Sequence, residues 1–213
     1  MGDLETFAAH ATSCLHARPA DNVFAVTCGP VRGDHDLNAA NDLAQLHPAP
    51  RPAAVLVPII QRADALHVIL TLRATHLPTH AGQIAFPGGK MEPDDTGPDH
   101  TALREAHEEI GLEPGAVSTL GYLDSYQTGT GFRILPVVAT VAPDVALTPD
   151  PSEVDDAFEV PLAFLMDPAN HRRHAREWKG VLRHYYAMPW ENRYIWGATA
   201  GILRNLQETV FPT

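Results

Sequence analysis

The stretch FPGGKMEPDDTGPDHTALREAHEEIGL, Phe86 to Leu112, carries seven of the chain's 26 acidic residues against one Lys and one Arg. Its second half reads as a helix, with Asp99 or Thr101 as N-cap, Ala102, Leu103, Ala106 and Ile110 as buried stripe, and Gly111 as the stop. At about 100° per residue, Glu105, Glu108 and Glu109 fall within an arc of about 100° beside the apolar one. Three carboxylates therefore gather on one patch. Such a patch is ordinarily a solvated face, but this one breaks local rules. Glu105 faces like charge at i,i+3 and i,i+4, at ~0.2–0.5 kcal/mol per pair, and carboxylates at the negative end of a helix cost a further ~0.3–1 kcal/mol each when exposed. Only Arg104 offers relief nearby. The simplest missing element is a cation, and oxygen ligands without Cys or clustered His select a hard divalent ion, Mg2+ first, with Mn2+ able to substitute. Just upstream, Gly88-Gly89 after Pro87 lets the backbone approach a ligand closely.

The rest of the chain supports a globular fold around this segment. A length of 213 residues fits one domain with terminal additions, and 45% hydrophobic with 19% charged residues are globular values. No 20-residue apolar run or basic leader is present, so a soluble cytoplasmic protein without membrane contact is expected. A net charge of -11 argues against nucleic acid as a partner. Cys14 and Cys28 form no metal-ligand spacing and are too few for a disulfide framework. The twelve histidines contain no HxH or HExxH pattern.

Residues 3 to 16 have helical apolar spacing, and Pro19 to Pro52 reads as a connector. The expected organisation is residues 1–50 as an N-terminal helix and connector packed on the core, with the main domain over 51–213. AAVLVPII (53–60) and LHVILTLR (66–73) read as a strand hairpin, and STLGYLDSYQ (118–127) and FRILPVVATVA (132–142) as two more strands. EVDDAFEVPLAFL (153–165) reads as a short strand or helix. Ile195, Thr199, Ile202, Leu203 and Leu206 share one face of a final helix. Strands on both sides of a central helix give a mixed α/β architecture.

Gly89 together with Arg104-Glu105-Ala106-His107-Glu108-Glu109-Ile110-Gly111-Leu112 resembles the signature of the Nudix hydrolases, G-x5-E-x7-R-E-U-x-E-E-x-G-U, where U is aliphatic. Fourteen residues rather than thirteen separate Gly89 from Arg104, and Asp95 stands where the first Glu of the pattern falls. Ile69 to Ala74, Leu77, His80, Gly82-Gln83 and Phe86 to Gly89 further resemble the coenzyme A pyrophosphatases within that family, with Pro78 where their motif has Arg. The resemblance runs over roughly residues 52 to 205. It implies a Nudix-type α/β/α sandwich with a mixed central β-sheet, and metal-assisted hydrolysis of a diphosphate bond by water. The substrate it implies is a small nucleoside diphosphate, coenzyme A first; a homodimer is left open.

By the same resemblance, Mg2+ would be held by Glu105, Glu108 and Glu109, with the Gly89 carbonyl contributing. Glu105, Glu108, Arg104 and Glu153 would be the catalytic set. In it, Arg104 orients a glutamate or touches substrate, and Glu153 is a base, an extra metal ligand or a solvated loop acid. Asp95 is an acid by analogy or a structural loop contact. Arg73, His80, Gln83, Phe86 and Gly88 are candidate substrate contacts, though partners within the fold are the alternative for Arg73, His80 and Gln83. Tyr122, Tyr126 and Phe132 either stack on a base or pack in the core. Two other functions remain open: an ADP-ribose or dinucleoside polyphosphate hydrolase, and a non-catalytic binding module of the same fold.

Overall fold

The computed structural model describes residues 3–21, 23–24, 31–38, 49–63, 65–178 and 180–212. Cys28 and much of the 19–52 connector lie outside them. In chain order the elements are α1 (Leu4–Cys14), β1 (Val31–Gly33), β2 (Arg51–Arg62), β3 (Ala65–Arg73), β4 (Ile84–Ala85), β5 (Gly88–Lys90), α2 (Pro98–Ile110) and β6 (Val117–Tyr122). There follow β7 (Ser125–Gln127), β8 (Phe132–Val141), β9 (Val154–Pro161), the single-turn α3 (Leu162–Leu165), β10 (Arg172–Trp178), β11 (Val181–Trp190), β12 (Arg193–Trp196) and α4 (Ala198–Val210). No helix among the described residues is long and apolar enough to cross a membrane.

A nine-stranded mixed sheet is built around β2, which runs parallel to β8 on one side and antiparallel to β3 and β5 on the other. Proline is normally excluded from a central strand because it lacks the ladder donor. Pro58 escapes that cost on one side, falling between the β5 partner, which ends at Val55, and the β3 partner, which begins at Ile59. Side chains alternate across this sheet with period two. Ala54, Leu56 and Ile60 of β2, with Ile69 of β3 and Val137 of β8, pack against Ala102, Ala106 and Ile110 of α2. Val57 and Ile59, with Val68 and Leu70, face the other way, toward Phe7 and Ala11 of α1 and Leu203 and Leu206 of α4. Each fully buried Leu or Ile contributes roughly 1.5–3 kcal/mol, so both layers hold the sheet. The expected α/β/α sandwich is the observed architecture.

Several local expectations change. The helix α2 starts one residue before Asp99: Gly97 occupies the N-cap without a side-chain bond and Pro98 takes the first helical position. Asp99 instead accepts a 2.6 Å bond from the Tyr122 hydroxyl, and Thr101 bonds Asp95. The 118–127 strand is two, β6 and β7. The connector contains β1, which extends the sheet edge in parallel with β7, Val31 opposite Ser125. Arg32 fastens that edge to Glu208 of α4 at 2.7 Å. Ile195 lies in β12, since α4 begins only after Gly197; Thr199, Ile202, Leu203 and Leu206 are buried on α4 as expected. The separate three-stranded sheet β10–β11–β12 has no counterpart in the sequence reading.

Candidate active site

The short strand β5 lays Gly88-Gly89 against β2, Gly89 opposite Ala54, while α2 crosses the same end of the sheet. Apolar anchors on α2 fix its rotation, and this turns Glu109 inward, leaving it 3% exposed. The Gly88 N–H donates to Glu109 Oε2 at 3.0 Å, and Arg73 Nη1 stands 3.7 Å from Oε1. Burial pushes the Glu109 carboxyl up to about 7; Gly88 and Arg73 oppose the rise, and the Glu105 and Glu153 charges add to it. The carboxyl of Glu105 is raised as well, first by burial, against the pull of Arg104. Two neighbouring acids thus sit where their own charge is disfavoured.

Gly89 is required by proximity to Glu105. A Cβ at this position would lie 2.4 Å from the Glu105 carboxylate, well inside van der Waals contact. Because the clash is with the end of a flexible side chain, Gly89→Ala should fold normally but displace that carboxylate. A rise of about 10–100-fold in the Mg2+ concentration needed for half-maximal activity is expected; a wild-type metal titration would refute it.

Arg104 organises the outer half of the patch. Its Nε and Nη2 form a bidentate pair with Asp95 at 3.1 and 3.0 Å, and Nη1 reaches Glu105 at 3.1 Å and Glu108 at 3.0 Å. The three glutamates consequently do not point at one centre. Glu108, with a side chain 55% exposed, is drawn outward to Arg104 one helical turn back, whereas Glu105 and Glu109 turn toward Gly88-Gly89. Among the described residues no group of three or more His, Cys, Asp and Glu side chains is arranged to hold a metal ion unaided. Mg2+ does not require one, since it keeps several waters and binds through one or two carboxylates plus substrate phosphates. Glu105 and Glu109 supply hard oxygen donors whose repulsion and burial a divalent ion would relieve, so the residues present fit that ion.

Glu153 is exposed. Its carbonyl accepts the Ala74 N–H at 2.8 Å beside the end of β3, and its charge is felt by both Glu105 and Glu109. The same loop bonds the end of α2, with Thr148 N–H on the Ile110 carbonyl at 2.8 Å and Asp150 N–H on the Glu109 carbonyl at 2.9 Å. Gly111 closes α2 in the left-handed region, φ 65°, as its position after the apolar stripe implied.

The candidate substrate contacts divide. Arg73 and Gly88 lie directly on Glu109. His80 and Gln83 are on the turn between β3 and β4 and bond each other, Nδ1 to Oε1 at 2.8 Å. Phe86 is a correction: it is 3% exposed within the apolar layer that includes α1 and α4, so its ring fills the core and offers no surface to a ligand. Tyr126 is also core, its hydroxyl on Asp34 at 2.7 Å, while Phe132 packs under the Arg51 guanidinium. Asp95 takes the structural alternative, a loop acid held by Thr101, His100 and Arg104 from the facing side of α2.

The chain matches the model of the NUDIX domain over residues 50–180. It is 39% identical over 160 residues to NudL of Yersinia pestis (strain Pestoides F), named as an uncharacterized Nudix hydrolase, covering 75% of this chain and 80% of that protein. NudL of Yersinia pseudotuberculosis serotype O:3 (strain YPIII) matches to the same extent. Among solved structures, the Nudix hydrolase RenU of M. smegmatis aligns with a TM-score of 0.47 at 24% identity, over 55% of this chain and 74% of that one. A NUDIX hydrolase from Alicyclobacillus acidocaldarius aligns with a TM-score of 0.46 at 20% identity, over 77% and 93%.

Proposed function

The chain belongs to the NUDIX domain family, and from that premise we propose that it hydrolyses the diphosphate bond of coenzyme A or its derivatives, giving 3′,5′-ADP and 4′-phosphopantetheine. At the level of the family it is a pyrophosphohydrolase acting on a nucleoside diphosphate derivative, and such enzymes use divalent metal ions. The observation that carries the finer reading is the segment from Ile69 to Gly89. The residues resembling the coenzyme A pyrophosphatase motif run through β3, β4 and β5, and two of them, Arg73 at the end of β3 and Gly88 at the start of β5, both meet Glu109.

Glu105 and Glu109 would hold Mg2+, or Mn2+ in its place, beside Gly89. When bound, the ion supplies charge neutralisation for the diphosphate oxygens and lowers the barrier to attack by water. The protein's own work is positional. Gly88 N–H fixes one Glu109 oxygen, and Asp95 holds the Arg104 guanidinium so that Nη1 steadies Glu105 and Glu108. Glu153, exposed and within the field of both inner glutamates, is suited to accept the proton of the attacking water. Arg73 would place positive charge next to the reacting phosphates, and His80 and Gln83, on the turn that follows it, would border them.

The test is chromatography of coenzyme A after incubation with the protein and Mg2+ or Mn2+. Appearance of 3′,5′-ADP and 4′-phosphopantetheine is the expected result. Cleavage of ADP-ribose with coenzyme A left intact would overturn the substrate, and no metal-dependent turnover of either would overturn the catalytic reading.

A further inference from the structure

The sheet β10–β11–β12 carries a face that the chemistry above leaves unused. Strand alternation and the observed register put His174 opposite Tyr185, and Arg176 opposite Arg183, on this face; Tyr194 and Trp196 of β12 share it. The rings form a continuous aromatic layer. Tyr185 and Trp196 meet edge to face at 5.4 Å, His174 and Tyr194 lie 5.8 Å apart, and the Tyr194 hydroxyl bonds His174 Nδ1 at 2.6 Å. Tyr194 remains 39% exposed. Positive charge interleaves with these rings in a chain whose net charge is -11. Like charges directly opposite on neighbouring strands destabilise a sheet. Arg183 lies in the field of Asp34, whereas Arg172 and Arg176 are exposed and make no ion pair among the described residues.

Three contacts place this sheet at the end of the main sheet where Gly88-Gly89 lie. Arg193 Nη2 bonds Asp156 Oδ2 at 2.6 Å, three residues beyond Glu153. Thr199, just after β12, donates to the Ile84 carbonyl at 2.9 Å on the strand leading into Gly88. An Arg183 nitrogen lies 3.7 Å from the Cβ position of Gly129, in the turn before β8. The two arginines beside the glutamates are already engaged. Arg73 stands on Glu109, Arg104 is shared among three carboxylates, and the turn from Ala74 to Gln83 contains no Lys or Arg.

We propose that this basic, aromatic face binds the nucleoside end of the substrate, with the Tyr185, Tyr194 and Trp196 rings against the purine and Arg172 and Arg176 on a ribose phosphate outside the diphosphate that is cut. The assignment of the occupant rests on the coenzyme A reading, because that substrate carries such a 3′-phosphate. The complementarity is of two kinds on one surface: flat rings for a heterocycle and forked guanidiniums for a phosphate. These residues are specificity-determining and do not touch the reacting atoms.

Calorimetry of 3′,5′-ADP and 5′-AMP binding in chelator tests the face without turnover, and KM and kcat for coenzyme A and 3′-dephospho-coenzyme A test it with turnover. For wild type, 3′,5′-ADP should bind about tenfold more tightly than 5′-AMP, the effect of roughly one charge-assisted contact. The Arg172→Ala/Arg176→Ala protein should lose that preference. Its KM for coenzyme A should rise about tenfold with kcat held within about twofold, and its KM for the dephospho form should stay unchanged. Tyr194→Ala should weaken both nucleotides alike. The proposal is overturned if wild type binds no 3′,5′-ADP, or if the double variant binds and turns over like wild type. It is equally overturned if the double variant converts a dimer to a monomer with nucleotide binding intact, which would make this face a contact between copies. Arginine-dependent binding of 3′,5′-ADP by a protein that fails to cleave coenzyme A would remove the substrate assignment and keep the nucleotide face.

Discussion

Glu109→Gln should lower metal-dependent hydrolysis by more than about 100-fold, the scale at which even the partners of metal ligands act, and should at the same time make the metal-free protein more stable at pH 8. The second half follows from linkage. Burial raises the Glu109 carboxyl from 4.5 to about 7. A group raised in the folded state contributes stability that is complete below its unfolded value and disappears as pH rises through the folded one. Wild type therefore loses, between about pH 4.5 and 7, a contribution on the order of 3 kcal/mol at ~1.4 kcal/mol per pH unit. Glutamine does not ionise and can still accept the Gly88 N–H. Thermal melts in chelator should show the variant above wild type at pH 8, with the gap closing at pH 4.5. A variant that is both inactive and unstable at pH 8 would mean that Glu109 is held by the fold alone, and one that keeps wild-type turnover would exclude it as a metal ligand.

Asp95→Ala should produce the largest loss of stability. The Asp95 side chain is 2% exposed and takes both arms of Arg104, the Thr101 hydroxyl, His100 and the Glu92 N–H. Removing one partner of a buried ion pair costs about 3–5 kcal/mol, and the low end is expected because Arg104 keeps 20% exposure. For a chain of this length, about 3 kcal/mol corresponds to a drop of roughly 6–12 °C in Tm. The Arg104 bonds, supported by Glu92, Thr101 and His100 against the effect of burial, hold this carboxyl well below its usual 3.8. Its contribution is therefore present above that value and is lost as pH falls beneath it. The deficit of the variant at pH 7 should shrink in melts at pH 3. An unchanged Tm at pH 7 would show that the clamp contributes nothing.

The sandwich and the glutamate-bearing helix were legible because each depends on local periodicity. The apolar stripe of α2 and the alternation in β2 and β3 are written into short windows, and Gly111 needs only its own left-handed conformation. The site was legible in so far as it broke those rules: Glu105 and Glu109 stand where a helix disfavours them. What escaped depended on partners distant in sequence. Asp99 caps nothing because Tyr122, 23 residues on, claims it. Phe86 sits in a motif that suggests ligand contact, yet its ring is consumed by a core assembled from α1, α4 and both sheets. The β10–β12 sheet escaped because its polar, arginine-rich strands have no apolar alternation until Met188 and Ile195, where they reach the core. Glu108 could be separated from its two companions only by seeing where Arg104 goes.

The backbone bonds from Thr148 and Asp150 to the last carbonyls of α2 restrict how this protein can diversify. They couple the glutamate helix and the Glu153 loop into one mechanical part, so a deletion or insertion between Gly111 and Glu153 that re-registers those donors would shift a candidate metal ligand and the candidate base together. Loop exchange in that interval should consequently be barren as a route to new substrates. Variation in substrate choice has room on surfaces that do not share those bonds, the β3–β4 turn and the arginine-bearing sheet, where sequence can drift without disturbing the placement of Glu109 relative to Glu153.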